Sequence, residues 1–312
     1  MGAHAAVSGT GQMKVDVERL AATLSDRLGR PGLKLAPLDV ACAWPVFKAT
    51  AADGAPLFVK LADPARARQT RAFLTSVPAE VFLPRTVLDG PLAFDGYDVL
   101  VLDWKESECV NAEDMTDAQA AAFADGCRRL AAVLAAYRGG LRPVGEDDPG
   151  LQWEKLSAYA ARHPLVGRLL RPLLDLPAAR RTYGSRAQTA IHGDFQPKNY
   201  GFDGERFAAV FDFDALTTGL ACEDAAYAFT ERARRAELPA AKRRRLTELF
   251  LRLVGTSPWP KDEWIVAVNH ARLRIAARRL DRHPDSPFVA LDVARRDRPL
   301  AALAAALEGE TC

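Results

Sequence analysis

The chain is 312 residues long, 49% hydrophobic and 26% charged, with a formal net charge of +2. That length exceeds what one hydrophobic core organises and predicts two lobes. The composition excludes a disordered polymer, and so small a net charge gives no reason to expect a nucleic-acid partner.

No apolar run approaches the roughly 18 residues of a membrane span, and Met1 to Met13 has neither the basic start nor the apolar core of a signal peptide, so the cytoplasm is the expected location. The cysteines Cys42, Cys109, Cys127, Cys222 and Cys312 are scattered, with no CxxC pair, and are expected as reduced thiols. Val15 to Leu28 places apolar residues at helical spacing and Gly29-Arg30-Pro31-Gly32 ends the segment, which predicts a helix. Three short strands are expected next, Leu38 to Cys42, Val46 to Thr50 and Pro56 to Leu61, with Asp53-Gly54 as the hairpin turn before the third. Pro64 suits the first turn of a helix through Leu74, and Val81 to Leu88 and Tyr97 to Leu102 read as further strands.

From Thr116, a capping residue, the texture turns helical, with Phe123, Cys127, Leu130, Val133, Leu134 and Tyr137 recurring at three and four. Further helices are predicted over Gln152 to Arg162, Leu165 to Leu174, Cys222 to Ala236, Ala240 to Val254 and Lys261 to Arg282. The expected fold class is α+β: a small antiparallel β lobe over residues 1–104 and a larger helical lobe over 105–312, divided within the polar stretch Lys105 to Asp114.

The stretch that carries chemistry is Thr189-Ala190-Ile191-His192-Gly193-Asp194-Phe195-Gln196-Pro197-Lys198-Asn199, followed by FAAVFDFDA over Phe207 to Ala215. Short apolar runs flank polar residues that do not belong in a core. A buried strand leading to Asp212 would present that carboxylate at its end, with Asp194 and Asn199 on the preceding loop. Two carboxylates and an amide oxygen are hard ligands, suited to Mg²⁺ held together with nucleotide phosphates.

With these residues the sequence resembles the aminoglycoside phosphotransferase and choline kinase family, which shares the protein-kinase fold. HGDxxxxN followed by a second Asp after an apolar strand occurs as Asp194, Asn199 and Asp212, and Phe58-Val59-Lys60 supplies a lysine on the third strand. The resemblance, running from about Leu38 to Asp224, implies ATP as donor with Mg²⁺ and a small-molecule hydroxyl as acceptor. It implies that Asp194 orients the acceptor hydroxyl and takes its proton, that Asn199 and Asp212 hold Mg²⁺, and that Lys60 contacts the α- and β-phosphates. Val99 to Trp104 corresponds to the segment joining the lobes, which makes Leu102 and Trp104 nucleotide-site residues. His192 and Asp224 correspond to residues that brace the loop. Gly193, Gln196 and the lack of an APE-like segment favour small-molecule over protein substrates.

Two positions depart from that pattern. The first turn reads Cys42-Ala43-Trp44-Pro45 without glycine, and Gln69 occupies the place of the helix acid that would pair with Lys60, leaving Glu80 as the other candidate. A catalytically silent nucleotide-binding scaffold and a protein-modifying enzyme therefore stand as alternatives. Lys60 alone also reads as a solvated strand-end lysine, and Asp214 as either support for the site or a surface turn residue. Lys242 to Arg245 and Arg272, Arg274, Arg278 and Arg279 read as an anion-binding wall or as solvated helix faces. Trp259 and Trp264 read as acceptor-pocket lining or core. Leu216 to Cys312 holds 17 Lys or Arg against 13 Asp or Glu, so the expected acceptor is neutral or anionic rather than polycationic, unless Glu223, Asp224, Asp262 and Glu263 converge.

Overall fold

The computed structural model describes residues 15–39, 44–51, 54–141, 149–176, 188–235 and 237–309. Its chain divides into two compact units, Met1–Glu106 and Ser107–Cys312.

In the first unit, α1 (Val17–Leu28) is capped by the Asp16 carboxylate, which accepts from the Arg19 amide, and closed by Gly29 at φ 62°. Strands β1 (Lys34–Pro37), β2 (Val46–Thr50), β3 (Leu57–Ala62), β4 (Ala93–Phe94) and β5 (Tyr97–Asp103) form one antiparallel sheet in the order β1-β2-β3-β5-β4. Because side chains alternate along a strand, Leu57, Val59 and Leu61 of β3 and Val99 and Val101 of β5 pack with Leu20 and Leu24 of α1 into one core. The same alternation turns Lys60 to the other face, where it stands opposite Leu100 in the β3–β5 register. Helix α2 (Pro64–Ser76) is tied to β5 there, since Arg71 donates to both Asp98 carboxylate oxygens at 3.1 and 3.2 Å.

Two strand expectations in this unit are corrected. The first described strand is Lys34–Pro37, ahead of the expected Leu38 to Cys42, of which Leu38 and Asp39 lie outside any strand: Pro37 is tolerated because β1 is an edge strand whose outer side needs no ladder donor. Residues 40–42 of the expected strand and Ala43 of the first turn lie outside the described residues, as does Asp53 of the hairpin signal. Val81 to Leu88 is loop, touching the sheet through a single bridge from Thr86 to Leu102, because Pro84 interrupts the ladder and Val81 faces solvent.

The second unit opens with α3 (Asp117–Ala136), whose Thr116 and Gln119 form a reciprocal capping box. Helices α4 (Pro149–Arg162), α5 (Pro164–Gly167) and α6 (Arg171–Leu174) follow. The predicted helix Leu165 to Leu174 is thus broken, with a 3-10 turn between α5 and α6 and Pro172 starting the second piece. Two short strand pairs come next: β6 (Thr189–Ile191) pairs with β9 (Thr217–Gly219), and β7 (Tyr200–Asp203) with β8 (Arg206–Val210). Helices α7 (Glu223–Ala233), α8 (Ala240–Thr256), α9 (Lys261–Arg282) and α10 (Val289–Glu308) complete the unit.

Helix α10 was not expected, because Pro299 lies inside it and a helix-interior proline loses one backbone bond. Packing offsets that loss. Val293 and Ala290 join Leu273, Ala277 and Leu156 in a core formed with α9 and α4, and Arg272 pairs with Asp297 through two 2.8 Å hydrogen bonds. Removing either buried partner would strand the other charge, at a cost of about 3–5 kcal/mol. Trp264 is fully buried against Phe250, with its indole nitrogen donating to Ser257, so it is core and not pocket lining.

Candidate active site

The loop between β6 and β7 is held by its own backbone. Gly193 adopts φ 79°, which favours glycine, and a Cβ there would run into the carbonyl oxygen of Ala215. The Asp224 carboxylate, at the start of α7, accepts from the amides of His192 at 2.7 Å and Gly193 at 2.9 Å. Burial pushes the Asp224 carboxyl above the usual range, while the nearby His192 ring and these two amide bonds oppose that shift. His192 is fully buried. Its Nε2 lies 2.7 Å from the Phe211 carbonyl and its Nδ1 is 3.3 Å from the Asp194 amide, a pattern that calls for the proton on Nε2.

Asp194 and Asn199 meet on this loop. The Asn199 side-chain amide donates to the Asp194 carbonyl at 2.7 Å and to its carboxylate at 3.1 Å, and Gln196 donates to the same carboxylate oxygen at 2.8 Å. With its nitrogen so committed, the Asn199 amide directs its oxygen away from Asp194. Beneath the loop, Phe195 packs on Phe123 of α3 and on Tyr200 at centroid separations of 5.9 and 5.0 Å, so the loop rests on an aromatic layer.

Asp212 reaches the same place through the β7–β8 hairpin. Tyr200 pairs with Val210, and the Phe211 amide donates to the Asn199 carbonyl at 2.8 Å, which extends the ladder by one step. Asn199 and Asp212 therefore flank the open end of one hairpin. Asp212 stands at φ 61°, ψ 66°, a left-handed conformation that costs about 1–3 kcal/mol outside glycine and clusters at functional sites. Among the described residues no three His, Cys, Asp or Glu side chains gather as a self-sufficient metal cage. One carboxylate and one amide oxygen match instead the way Mg²⁺ is held, through few protein ligands with waters and phosphate oxygens completing the octahedron.

In the first unit Lys60 is 3% exposed on β3 and so is not a solvated strand-end lysine. Gln69 lies half-buried on α2, and the only carboxylate at that helix, Asp63, caps it by accepting from the amides of Ala65 and Arg66. Leu102 is buried in β5. The Trp104 amide donates to the Pro56 carbonyl at 3.3 Å, and the Lys48 ammonium sits 4.2 Å from the Trp104 ring centre.

The basic residues divide by neighbour: Lys242 and Arg244 are exposed on α8, as a solvated face would have them, while the others are partly or fully buried against specific groups. Arg272 and Arg279 bind Asp297 and Asp292 of α10. Lys242 binds Asp114, Arg245 binds Asp117, and Arg243 donates to the carbonyls of Ala233 at the end of α7 and of Arg235 and Leu238 beyond it. Arg274 and Arg278, one turn apart on α9, instead converge on Tyr227: the Arg274 guanidinium lies 3.7 Å above its ring, and Arg278 donates to its hydroxyl at 3.4 Å. Arg274 also donates to the Gly193 carbonyl at 3.0 Å. Sequence reasoning missed this contact, since 81 positions separate the partners and no local pattern links them. Burial raises the Tyr227 phenol; Arg274 and Arg278 oppose that shift and Asp194 adds to it.

Part of the carboxylate convergence is present. Burial drives the Cys222 thiol far up, and Glu223, Glu263 and Asp224 add to the shift. Two of these are committed, Asp224 to the loop amides and Glu223 to His270 at 2.7 Å and the Leu220 amide at 3.3 Å.

The small sheet with its helix, and the helical unit built around an HGD loop and a hairpin-end acid, are the parts of a small-molecule kinase. Residues 44–259 match the family profile described as phosphotransferase enzyme family (APH), and the chain belongs to that family. No curated protein matches the chain. Similar solved structures include a putative aminoglycoside phosphotransferase from Ralstonia eutropha JMP134, at 16% identity and TM-score 0.57, covering 95% of this chain and 98% of that one. The amicoumacin kinase hAmiN, solved with AMP-PNP, Ca²⁺ and Ami, matches at 13% identity and TM-score 0.62, covering 95% and 94%. The macrolide 2'-phosphotransferase MphH from Brachybacterium faecium matches at 18% and 0.55, covering 92% and 97%. At these identities the likeness establishes the fold.

Proposed function

We propose that this enzyme moves the γ-phosphate of ATP to a hydroxyl of a small molecule, with Asp194 orienting that hydroxyl and taking its proton. The observation that carries the reading is the backbone step from Asn199 to Phe211, which sets Asp212 at the end of the hairpin that begins at the loop of Asp194 and Asn199; in this reading they serve as a base and two oxygen ligands. Loose phosphoryl-transfer transition states need alignment and charge neutralisation more than covalent help. Asn199 and Asp212 would hold Mg²⁺, which supplies charge neutralisation at the phosphates. Lys60 would bind the α- and β-phosphates, with Gln69, or Glu80 in its place, orienting its ammonium. Leu102 and Trp104 would line the adenine site; with the Trp104 amide donating to Pro56, the backbone contact to adenine falls to Lys105 or Glu106. The AMP-PNP bound to hAmiN supports a nucleoside triphosphate donor. The units Met1–Glu106 and Ser107–Cys312 would then serve as nucleotide lobe and as catalytic and acceptor lobe. We place the enzyme in the cytoplasm, where thiols such as Cys109, Cys127 and Cys222 stay reduced. No helix among the described residues is long and apolar enough to cross a membrane.

The scaffold alternative draws on α2, where Gln69 stands at the place the family pattern gives to an acid. Titration of ATP with and without Mg²⁺ tests the metal assignment. In Asp212→Asn, which keeps side-chain size and the left-handed preference, the Mg²⁺-dependent gain in affinity should fall by at least about tenfold. An undiminished Mg²⁺ effect in that variant would remove Asp212 from the metal site.

The acceptor we propose is a neutral or anionic hydroxyl compound. The support is charge: Leu216 to Cys312 holds 17 Lys or Arg against 13 Asp or Glu, and of its acids Asp224 and Glu223 are engaged in internal bonds. At matched low salt, a sugar acid should exceed a polycationic aminoglycoside in kcat/KM by about tenfold or more. Selective turnover of the aminoglycoside would reverse this assignment.

A further inference from the structure

We infer that Arg274 is a positioning residue for the transfer reaction, fixing the peptide plane that leads into Asp194. The inference rests on the reading of Asp194 as the group that takes the acceptor proton. The peptide unit joining Gly193 to Asp194 contains the Gly193 carbonyl, to which the Arg274 guanidinium donates at 3.0 Å. The preceding unit is held as well, since Asp224 accepts the Gly193 amide at 2.9 Å. Gly193 thus has its N–H bound by an acid of α7 and its C=O bound by a base of α9, while the missing Cβ lets the residue lie against Ala215. Held at both ends, the residue has little freedom to rotate, and the direction of the Asp194 side chain follows.

The guanidinium is itself held. It stacks 3.7 Å above Tyr227, a ring only 4% exposed, whose hydroxyl is bound in turn by Arg278 at 3.4 Å. A planar, delocalised cation stacks and donates at once, which an ammonium on a flexible stem does not. Arg274→Lys should therefore recover only part of what Arg274→Met loses. Misplacement of a reacting group by about 1 Å is enough for a loss of roughly 10²-fold in rate, and nothing in this role involves the nucleotide.

Two measurements on the full chain test the inference. In the first, amide hydrogen exchange is followed in peptides covering residues 191–199. Arg274→Met should speed exchange there by about tenfold or more while α9 and α10 keep the parent rates, with Arg274→Lys intermediate. In the second, kcat for Mg²⁺-ATP turnover should fall by roughly 10²-fold in Arg274→Met with the ATP KM held within about threefold. Millimolar guanidinium should restore part of kcat in Arg274→Ala but none in Asp194→Ala. Unchanged loop exchange with kcat within about twofold of the parent would overturn the inference, and so would faster exchange throughout residues 107–309, which would make Arg274 a packing residue alone. A parent protein that turns over no ATP would refute the phosphotransferase reading, and the exchange experiment would still decide whether Arg274 holds the loop.

Discussion

Replacing Asp194 with alanine is expected to lower kcat for phosphoryl transfer by at least about 10³-fold while leaving ATP affinity within about threefold. The reason lies in which partners the carboxylate has. It receives hydrogen bonds from Asn199 and Gln196 and sits at the acceptor side of the proposed chemistry, so its loss removes the base without removing a nucleotide contact. Truncation also removes one of the two hydrogen bonds of the Asn199 amide, leaving the one to the Asp194 carbonyl. Asp194→Asn separates the two effects, since its amide oxygen still accepts from Asn199 and Gln196 but takes no proton at neutral pH. Steady-state turnover together with ATP titration should find both variants equally inactive; a highly active Asp194→Asn would mean that the carboxylate only supports the loop.

The second large effect is on stability. Gly193→Ala should destabilise the protein by about 3 kcal/mol or more, because a side chain in the left-handed region costs about 1 kcal/mol and the added methyl overlaps a backbone oxygen that has no room to retreat. The obstacle is the Ala215 carbonyl, in the 3-10 turn that follows Asp212. Relief would require moving that turn, and Asp212 with it, so the metal site should suffer together with the fold. For a unit of this size the loss corresponds to a drop in Tm of roughly 6–12 °C by calorimetry. An unchanged Tm would show that the turn yields freely and that the close approach is not a constraint.

The candidate site was legible where its parts are close in sequence. Asp194, Asn199 and Asp212 fall within one loop and one hairpin, so their spacing already encodes the hydrogen bonds between Asn199 and Asp194 and the step from Asn199 to Phe211. Asp224 was named as a brace from its place in the family pattern, and it accepts both loop amides. Arg274 was visible only as one arginine in a basic helix, because its contact with Gly193 depends on how α9 packs. The same limit governs the fold. Helices with strong periodicity, α3 with its capping box and α9 after Pro260, were expected with nearly the observed bounds. Helix α10 was not, since Pro299 outweighs its apolar spacing until Leu273 and Ala277 are there to pack against. The edge strand β1 was misplaced because Lys34-Leu35-Ala36-Pro37 has no alternation to read; its pairing with Val46–Thr50 supplies the information instead.

The central claim is that the Asp194 loop catalyses γ-phosphoryl transfer to a hydroxyl. Its most direct test is ATP labelled at the γ-phosphorus, incubated with Mg²⁺, the parent enzyme and a panel of sugars, sugar acids, amino alcohols and aminoglycosides, with Asp194→Ala alongside. The account predicts label in a hydroxyl compound, with ADP as the other product, from the parent alone. Transfer of AMP instead of phosphate, equal transfer by Asp194→Ala, or ATP bound but never turned over by the parent would contradict it.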